Sequence, residues 1–346
     1  MDHRIHRRAL LKAGVAGSAA WALGANNAAA QAPAAWESVV AAAKKEGKLV
    51  VYNGTNFAIV RKIAAKFQAE TGIQTDVLDG RATEIRERIR VEQATGRTVA
   101  SLTYSGATTL TTQKREGTFQ PMGTLPNAGR IDPQFKPDET IIPVTAGNFA
   151  TIINTNLVKG DDIPKSWADF TNPKWKGKIL SDDPRAAGAG NVWFEATYNA
   201  FGRGFHEKMA AQNLVISRLF PESERRLARG EYAIYLPFNV SELKSLQGLP
   251  VQCVIPVEGV PYVPFCYSLL KDAPQPNAAR LFVNYMLAEA AQVAQAQEGF
   301  KPSVKGLSEK IPANLRPYVD AKLLGTTTPG RQNEMFDLAK AIYGSA

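Results

Sequence analysis

The chain has 346 residues, a length that fits two domains or lobes. Its formal net charge is +9, but the charges alternate in sign, form no long basic block and include no aromatic and basic RNA-binding signature, which argues against nucleic-acid binding. Two of the three histidines lie within the first six residues, which leaves His206 alone and excludes a histidine-rich metal site.

Residues 1–30 predict an export signal. The pair Arg7-Arg8 precedes an apolar stretch rich in alanine and glycine, which ends in the small residues 28–30. The pair favours the twin-arginine route, a Sec signal with a basic start is the alternative, and both routes lead to the periplasm. An N-terminal membrane anchor is disfavoured because the stretch is short, and no segment after Ala30 is long and apolar enough to span a bilayer.

The chain after the leader begins with alternating strands and helices. Apolar runs and helical spacing predict a strand over 48–52, a helix that ends at Gly72, a strand over 73–77, a helix over 83–95 and a strand over 100–104. Repeated strand–helix–strand units of this kind predict a mostly parallel sheet covered by helices.

The same alternation begins again near Phe149. It predicts a strand over 150–153, a second strand-like segment over 178–181 and a helix over 192–201. Farther on, an apolar stripe predicts one long helix over 278–298 that packs on a sheet. The sequence therefore predicts two α/β lobes.

Cys253 and Cys266 are the only cysteines and occur on neighbouring strand-like segments. An oxidising periplasm would allow a disulfide between them, whereas a cargo that folds in the cytosol would keep two buried thiols, and the sequence leaves both alternatives open. His206 lies among glycine and charged neighbours, which predict an exposed loop or helix start. We predict neither a metal ion nor another cofactor.

Three stretches carry a resemblance to a known family. They are 51–55 with the helix end at 70–73, then 164–170 with 172–179, and then 256–261 with the segment 274–287. Through these stretches the chain from Lys48 onward resembles the extracellular solute-binding proteins of the ferric-iron-binding and related type, which serve ABC importers. The resemblance covers essentially the whole chain after the leader.

The resemblance implies an α/β fold of the periplasmic-binding-protein type II, with two lobes joined by a two-strand hinge. Lobe 1 would comprise residues 31–147 and 264–305, and lobe 2 residues 148–263 and 306–346. The chain would cross between the lobes near 146–148 and near 262–265, where hinge closure would trap a solute. The resemblance also implies a small-molecule solute and a permease of the inner membrane as partners, and we predict a monomer.

In the iron-binding branch of this family, a histidine, a glutamate and two adjacent tyrosines hold a ferric ion. The corresponding positions here carry Asn56, Gly106, Val240 and Ser241. A hard trivalent cation needs anionic oxygen ligands, which these four residues do not supply. A different set of tyrosines, for example Tyr52, Tyr104 or Tyr262, keeps the ferric alternative open.

The corresponding loops predict a site for a small organic anion, such as a carboxylate, a phosphate or a phosphonate. Loops that precede helices offer free backbone N–H groups at the positive end of a helix dipole, and an arginine can hold an oxyanion with two hydrogen bonds. The predicted ligand-binding residues are Asn53, Gly54, Thr55, Asn56, Ser105, Gly106, Ala107, Arg185, Gly188, Ala189, Gly190, Asn191, Phe238, Asn239 and Tyr262.

Several of these residues have a structural alternative. Asn53 and Thr55 are equally suited to capping a helix, and Arg185 to pairing with a neighbouring aspartate. Phe238 and Tyr262 are of a type more often found in a core. A tight turn alone would explain the glycines of the 188–190 stretch, which lacks the third glycine of a dinucleotide-binding fingerprint.

Two other functions compete with transport. A periplasmic enzyme is disfavoured because the chain has no Gly-x-Ser-x-Gly elbow, no pair of metal-binding histidines and no oriented Cys-His arrangement. A binding protein that reports its solute to a receptor kinase would need the same two-lobed clamp. The sequence does not separate this second function from delivery to a permease.

Overall fold

The computed structural model of the protein describes residues 35–344, so the predicted export signal over 1–30 lies outside the described residues. Within 35–344, no helix has the length and apolar character needed to cross a membrane. The helices are α1 (35–46), α2 (Phe57–Thr71), α3 (Ala82–Ala94), α4 (Ala107–Arg115), α5 (Ala189–Phe201), α6 (Arg203–Ala210), α7 (Phe220–Ala228), α8 (Pro276–Met286), α9 (Glu289–Gln297), α10 (Arg316–Val319) and α11 (Gln332–Tyr343).

The strands form one sheet that runs through both lobes. They are β1 (Lys48–Asn53), β2 (Gln74–Asp79), β3 (Leu102–Gly106), β4 (Phe119–Gln120), β5 (Ile142–Asn154), β6 (Ile179–Ser181), β7 (Val215–Ile216), β8 (Ile234–Asn239), β9 (Val251–Val254), β10 (Val260–Leu270), β11 (Lys301–Pro302) and β12 (Leu323–Gly325). The order along the sheet is β2-β1-β3-β10-β5-β8-β6-β7, with the four remaining strands paired to β5 or β10.

In lobe 1, β1 lies between β2 and β3 and pairs in parallel with both. The connecting helix α2 buries Ile63 and Phe67 against strand residues such as Leu49 and Val51, as the helical spacing of its apolar residues predicts. Parallel strands need such crossover helices, and each one returns the chain to the same edge of the sheet. The carboxyl ends of β1 and β3 therefore lie side by side.

In lobe 2, β6 pairs in parallel with β7 and β8. Helix α5 packs on this sheet, and Trp193 and Phe194 of that helix are fully buried in the lobe 2 core. The carboxyl end of β6 leads through Asp182 and Asp183 to the start of α5. This lobe thus has the same strand-to-helix arrangement as lobe 1.

Two long strands, β5 and β10, run from one lobe into the other. Residues 142–148 of β5 pair antiparallel with residues 262–267 of β10, and the remainder of β5 pairs with β8 and β9 in lobe 2. Tyr262 lies opposite Asn148, and Pro264 lies opposite Ala146. Apart from the parallel pair of β10 with β12, both strands run antiparallel to their neighbours, so the sheet is mixed and not mostly parallel as the strand–helix pattern predicts.

The predicted single helix over 278–298 is wrong, because the chain forms α8 and α9 with a break at Leu287 and Ala288. Ala288 has an extended backbone, which ends the helical hydrogen-bond series. The buried side chain of Gln292 donates to the free carbonyl of Met286 at 2.6 Å and to that of Val144 at 2.7 Å. A glutamine in the core therefore satisfies the backbone group that the break exposes.

The predicted exposure of His206 is also wrong, since this residue of α6 is fully buried. Its Nε2 lies 3.0 Å from the Thr197 hydroxyl and its Nδ1 lies 2.7 Å from the Tyr343 hydroxyl, with the Trp193 and Phe194 rings around it. Burial lowers the pKa of His206 to about 3. The charged neighbours Glu207 and Lys208 are exposed, whereas His206 lies on the face of α6 that packs into the core.

Both cysteines are free and buried, Cys253 on β9 and Cys266 on β10. Burial raises the pKa of both thiols above the ordinary value. The structure thus has the two buried thiols that were one of the two alternatives from the sequence.

Candidate functional site

Two cavities lie between the lobes. The first, here called the polar cavity, has a volume of about 440 Å³ and is lined by the first turns of α3, α4 and α5, by Val263 of β10 and by residues 327–332. The second cavity has a volume of about 360 Å³ and lies between the start of α2, residues 239–242 and the chain around Glu298. The predicted site residues divide between these two cavities.

The lobe 1 side of the polar cavity is the start of α4. Gly106 is the N-cap of this helix, no side chain caps its first turn, and that turn contains no acidic residue. Thr108 and Thr109 of the first turn line the cavity together with Gly106. Free backbone N–H groups and the positive end of the helix dipole are therefore available to an anion at this position.

Arg86 is the only cationic side chain among the residues that line the polar cavity within the described chain, and none of these lining residues carries a carboxylate. Its guanidinium also hydrogen-bonds Glu116, with Nε 3.2 Å from the carboxylate Oε2. Arg86 is half-exposed, so this ion pair contributes little to stability. The cavity is thus lined mainly by hydroxyl and amide groups, by one arginine and by small apolar side chains.

The lobe 2 side is the start of α5, where Gly190 is tightly packed. A Cβ atom on Gly190 would lie 2.5 Å from the Asp183 carbonyl oxygen, so no other residue fits. The Gly190 N–H donates to Oδ2 of Asp182 at 2.6 Å. Burial raises the pKa of Asp182 above its ordinary value. The first turn of α5 is therefore already capped by a buried carboxyl group.

Asn191 supplies the free donor on the lobe 2 side. Its side chain is 3% exposed and lines the polar cavity. Its Nδ2 has no hydrogen-bond partner among residues 35–344. A buried amide without a partner costs free energy, so Asn191 is a group that a bound acceptor would satisfy.

Arg185 lines neither cavity. Its Nε lies 2.8 Å from Oδ1 of Asp183, and its NH1 group donates to the Gly344 carbonyl oxygen at 3.1 Å. Burial alone would raise the pKa of Asp183, but the hydrogen bonds from Arg185 hold that pKa below its ordinary value. The aspartate pairing that the sequence offered as the alternative is therefore the role that the structure gives to Arg185.

The first loop of lobe 1 is held on β3. The buried Asn53 donates to Oδ1 of Asp79 at 2.5 Å, and its Oδ1 accepts the Thr55 N–H at 3.3 Å. The Gly54 N–H donates to the Tyr104 carbonyl oxygen at 2.8 Å, and a Cβ on Gly54 would lie 3.3 Å from the Ser105 hydroxyl. Asn53 and Gly54 therefore fix the loop and line neither cavity.

Asn56 and Asn239 line the second cavity, where Ser241 joins them. Asn56 has a left-handed backbone with φ 52°, and its Nδ2 donates to the Tyr104 hydroxyl at 3.3 Å. The Asn239 side chain accepts the Ser241 N–H at 3.2 Å and so caps the short 3-10 helix that follows. Of the predicted residues, the structure brings Gly106, Gly188 and Asn191 together in one cavity, and Asn56 and Asn239 in the other.

The two predicted aromatic residues belong to the core. Phe238 is fully buried beside Ile152 and Leu180 in lobe 2. Tyr262 is 8% exposed and packs edge-to-face on Phe135 with the ring centroids 6.0 Å apart. Neither ring lines either cavity. Their strand positions direct both rings into the packed interior, which is the structural alternative for these two residues.

Ser105, Ala107 and Ala189 flank the polar cavity without lining it. The residues that complete this cavity are not among those predicted from the sequence. These are Ala82, Thr83, Arg86, Thr108, Thr109, Thr112, Ala187, Val192, Val263, Thr327, Thr328 and Gln332. Thr108 and Thr112 are four residues apart on α4 and so share one helical face, a spacing that could have indicated them.

Solved structures of other proteins share this fold. The iron-bound HitA of Pseudomonas aeruginosa matches with a TM-score of 0.70 at 22% identity, over 85% of this chain and 99% of that chain. The Trichodesmium IdiA (FutA) protein, in complex with iron and citrate, matches with a TM-score of 0.72 at 18% identity, over 86% and 100%. PotD of Streptococcus pneumoniae, the substrate-binding protein of a spermidine/putrescine ABC transporter, matches with a TM-score of 0.67 at 18% identity, over 86% of this chain and 99% of that chain. The fold is therefore that of the type II periplasmic binding proteins.

The relatives that match by sequence include the following two. An uncharacterized protein of Haemophilus influenzae is 28% identical over 211 residues, and Iron uptake protein A1 of Synechocystis is 26% identical over 137 residues. These alignments cover 53% and 39% of this chain, and the chain spans 60% and 38% of the two relatives. The family model described as bacterial extracellular solute-binding protein matches residues 100–324, which is more than half of the chain. The predicted resemblance is thus confirmed, and the chain belongs to the bacterial extracellular solute-binding protein family.

Proposed function

We propose that this protein captures a small organic anion, such as a carboxylate, a phosphate or a phosphonate, in the periplasm and delivers it to an ABC permease. The observation that carries the proposal is the polar cavity between the lobes, which offers hydrogen-bond donors and no carboxylate among its described lining residues. A cavity of about 440 Å³ is of a size that suits a small organic molecule.

The donors come from both lobes. Lobe 1 supplies the uncapped start of α4 and the charge of Arg86, and lobe 2 supplies the Asn191 amide. A helix start stabilises a nearby anion by about 0.3–1 kcal/mol, and a hydrogen bond to a charged group contributes about 1.5–3 kcal/mol. A few such contacts together account for binding of a singly charged solute.

Hinge closure would require little change outside β5 and β10. The pairs between 145–148 and 262–265 join the lobes, so a change of backbone angles in these short stretches would rotate one lobe against the other. On this proposal the lobe boundaries lie between residues 147 and 148 and between residues 263 and 264, as the family resemblance implies. A ligand that contacts both lobes would favour the closed form by its additional contacts.

A ferric solute is the second candidate, because one sequence relative and several structural neighbours are named for iron. In residues 35–344, no group of three or more His, Cys, Asp or Glu side chains is arranged to hold a metal ion. Tyr52 and Tyr104 are buried on β1 and β3 and line neither cavity, so neither phenol is placed to contact a metal ion there. These observations favour the organic anion.

Thermal-shift screening of the leaderless protein tests the proposal. The panel contains citrate, other organic acids, phosphorylated metabolites, phosphonates, spermidine, and ferric ion with carbonate. We expect a stabilising shift from one class of anion, since a ligand of the folded state alone raises the melting temperature by mass action. A shift from ferric ion alone, or from spermidine alone, contradicts the proposed ligand class.

The variant Asn191→Asp then tests the site. It replaces the free amide donor with a carboxylate of the same shape, and we expect the affinity for the anion found in the screen to fall about 100-fold, or about 2.7 kcal/mol, by calorimetry. Asn213→Asp is the control, because Asn213 is exposed in lobe 2 and its substitution changes the net charge by the same amount. Equal affinity in the two variants would remove Asn191 from the site.

A further inference from the structure

Glu195 is a buried acidic residue with few partners. It lies on α5, one helical turn after Asn191, and is fully buried. Its Oε1 accepts the Thr328 N–H at 2.8 Å, and its Oε2 has no hydrogen-bond partner among residues 35–344. A buried carboxyl with one partner costs more free energy than a single hydrogen bond returns, so packing alone does not account for this residue.

The hydrogen bond from Thr328 fixes an irregular stretch of chain. Residues 326–331, here called the linking segment, connect β12 to α11 without regular secondary structure. Thr327 and Thr328 of this segment line the polar cavity, as does Gln332 directly after it. Without an anchor, such a segment would keep its conformational freedom and would not hold side chains in place.

The linking segment also reaches the other lobe. The Thr327 hydroxyl lies 2.7 Å from the Thr108 hydroxyl on α4, the helix whose start forms the lobe 1 side of the cavity. Thr327 belongs to the part of the chain that packs on α5 in lobe 2. The Thr108–Thr327 hydrogen bond therefore joins the two lobes directly beside the cavity.

Several contacts anchor the segment and the end of β12 to lobe 2, largely on α5. Gly325 packs on Ala196, with 3.4 Å between a Cβ placed on Gly325 and the Ala196 Cα. Arg331 donates to Glu334 of α11 and to Asn199 of α5. Glu195 holds the middle of the segment, at Thr328. Thr327, the next residue toward the N-terminus, is thereby presented to lobe 1.

We propose that Glu195 is a positioning residue for solute binding, which holds the linking segment where Thr327 bonds Thr108 and Thr328 lines the polar cavity. This inference rests on the proposed function, because it makes the linking segment one side of the solute site. Glu195 itself does not line the cavity, so it acts through Thr328. Burial of Glu195 costs free energy, and its function on this proposal is to fix the position of Thr328 through their hydrogen bond.

The test uses Glu195→Leu, with Glu195→Gln as the matched control. Leucine removes the acceptor and the buried carboxyl, whereas glutamine keeps an oxygen for the Thr328 N–H. Three properties are measured without any solute: urea unfolding, hydrogen exchange at the Thr328 amide, and the distance between the lobes. The distance is measured by electron spin resonance between labels on Glu87→Cys and Lys208→Cys, both at exposed positions, while the two native thiols are buried.

For Glu195→Leu we expect unchanged or greater resistance to urea, at least tenfold faster exchange at Thr328, and a longer and broader distance between the lobes. Glu195→Gln is expected to match the parent protein in exchange and in distance. A purely structural role would instead lower the resistance to urea and leave the distance unchanged. That result, or a glutamine variant that behaves like the leucine variant, would overturn the proposal.

Thr327→Val keeps the test decisive if the leucine variant does not fold. It removes the hydroxyl that bonds Thr108, and we expect the same increase in distance, with Thr327→Ser as the control that keeps the hydroxyl. An unchanged distance in Thr327→Val would refute the proposal. Because no solute is present, these measurements can fail while the anion site survives the Asn191→Asp test, and the reverse also holds.

Discussion

The starts of α4 and α5 face the same cavity from opposite lobes, but they differ in what occupies their first turns. At α4 the N-cap is Gly106, and no side chain or acidic residue engages the free N–H groups. At α5 the carboxyl group of Asp182 already accepts the Gly190 N–H. A glycine-rich helix start is therefore not in itself an anion site, because a carboxyl group behind it can take up the donors.

A carboxylate at the start of α4 is expected to cause the largest loss of affinity. Gly106→Glu places a negative charge where the anion is proposed to bind, and the glutamate also competes for the N–H groups. We expect a loss of at least about 100-fold in affinity for the anion found by thermal shift, or about 2.7 kcal/mol. Calorimetry on the purified variant measures this loss.

Gly129→Glu is the control for this change, because Gly129 is exposed in lobe 1 and a side chain there meets open space. Gly106 has φ −64°, a value that any residue adopts, and its added Cβ would lie 3.3 Å from a Val263 methyl group, which must shift by a few tenths of an ångström. Full affinity in Gly106→Glu would show that the start of α4 is not part of the site.

The stability of lobe 2 should depend on pH, because this lobe contains a buried histidine. His206 supports α5 through Thr197, and burial lowers its pKa to about 3, below the ordinary value of 6.5. The unfolded chain therefore binds a proton below pH 6.5 that the folded chain does not bind, so the stabilisation is complete above pH 6.5 and is lost as the pH falls toward 3. From pH 6.5 to pH 5 the free energy of unfolding should fall by about 2 kcal/mol from this group.

Urea unfolding at a series of pH values measures this dependence in the parent protein and in His206→Gln. The variant lacks the titrating group, so its free energy of unfolding should change by about 2 kcal/mol less over the same range. Parallel curves for the two proteins would show that His206 does not control the acid sensitivity of lobe 2.

A substitution at the start of α5 is expected to change the affinity least. Asp182→Asn removes the buried negative charge while its side-chain oxygen can still accept the Gly190 N–H. We expect the affinity for the anion to rise about fivefold, or about 1 kcal/mol, by calorimetry, because the helix dipole of α5 is then unopposed. Lower affinity in this variant would mean that Asp182 itself assists the ligand.

The same substitution has a predicted effect on stability. Burial raises the pKa of Asp182, so the folded state disfavours its ionised form, and the contribution of this group to stability decreases as the pH rises above the unfolded value of 3.8. Near pH 7, Asp182→Asn should therefore be at least as stable as the parent protein. A clearly less stable variant would contradict this sign.

The parts of lobe 1 that rest on local sequence signals were predictable. The strand over 48–52 and the helix that ends at Gly72 correspond to β1 and α2, because apolar spacing alone identifies a half-buried element. The family resemblance predicted the segments where the chain crosses between the lobes, and in the structure Tyr262 of one such segment pairs with Asn148 of the other. The break between α8 and α9 was missed, since it depends on the Gln292 side chain and not on a glycine or proline.

The site was only partly predictable, because its members meet through tertiary structure. Gly106, Gly188 and Asn191 follow predicted strands, so their place at a loop or helix start could be inferred. Thr327 lies 219 residues from Thr108, and no local pattern indicates that their hydroxyl groups meet. The side-chain direction of Phe238 was equally hidden, since a strand residue faces the core or the solvent according to its neighbours in the sheet.

The place of β10 in the sheet has a consequence for biosynthesis. This strand lies between β3 and β5, although it follows β5 by more than a hundred residues in the chain. As the polypeptide leaves the ribosome, the centre of the lobe 1 sheet stays vacant until residue 270 has emerged, by which time most of lobe 2 is already made. Neither half can close its interior early, so nearly the entire molecule must be synthesised before it folds.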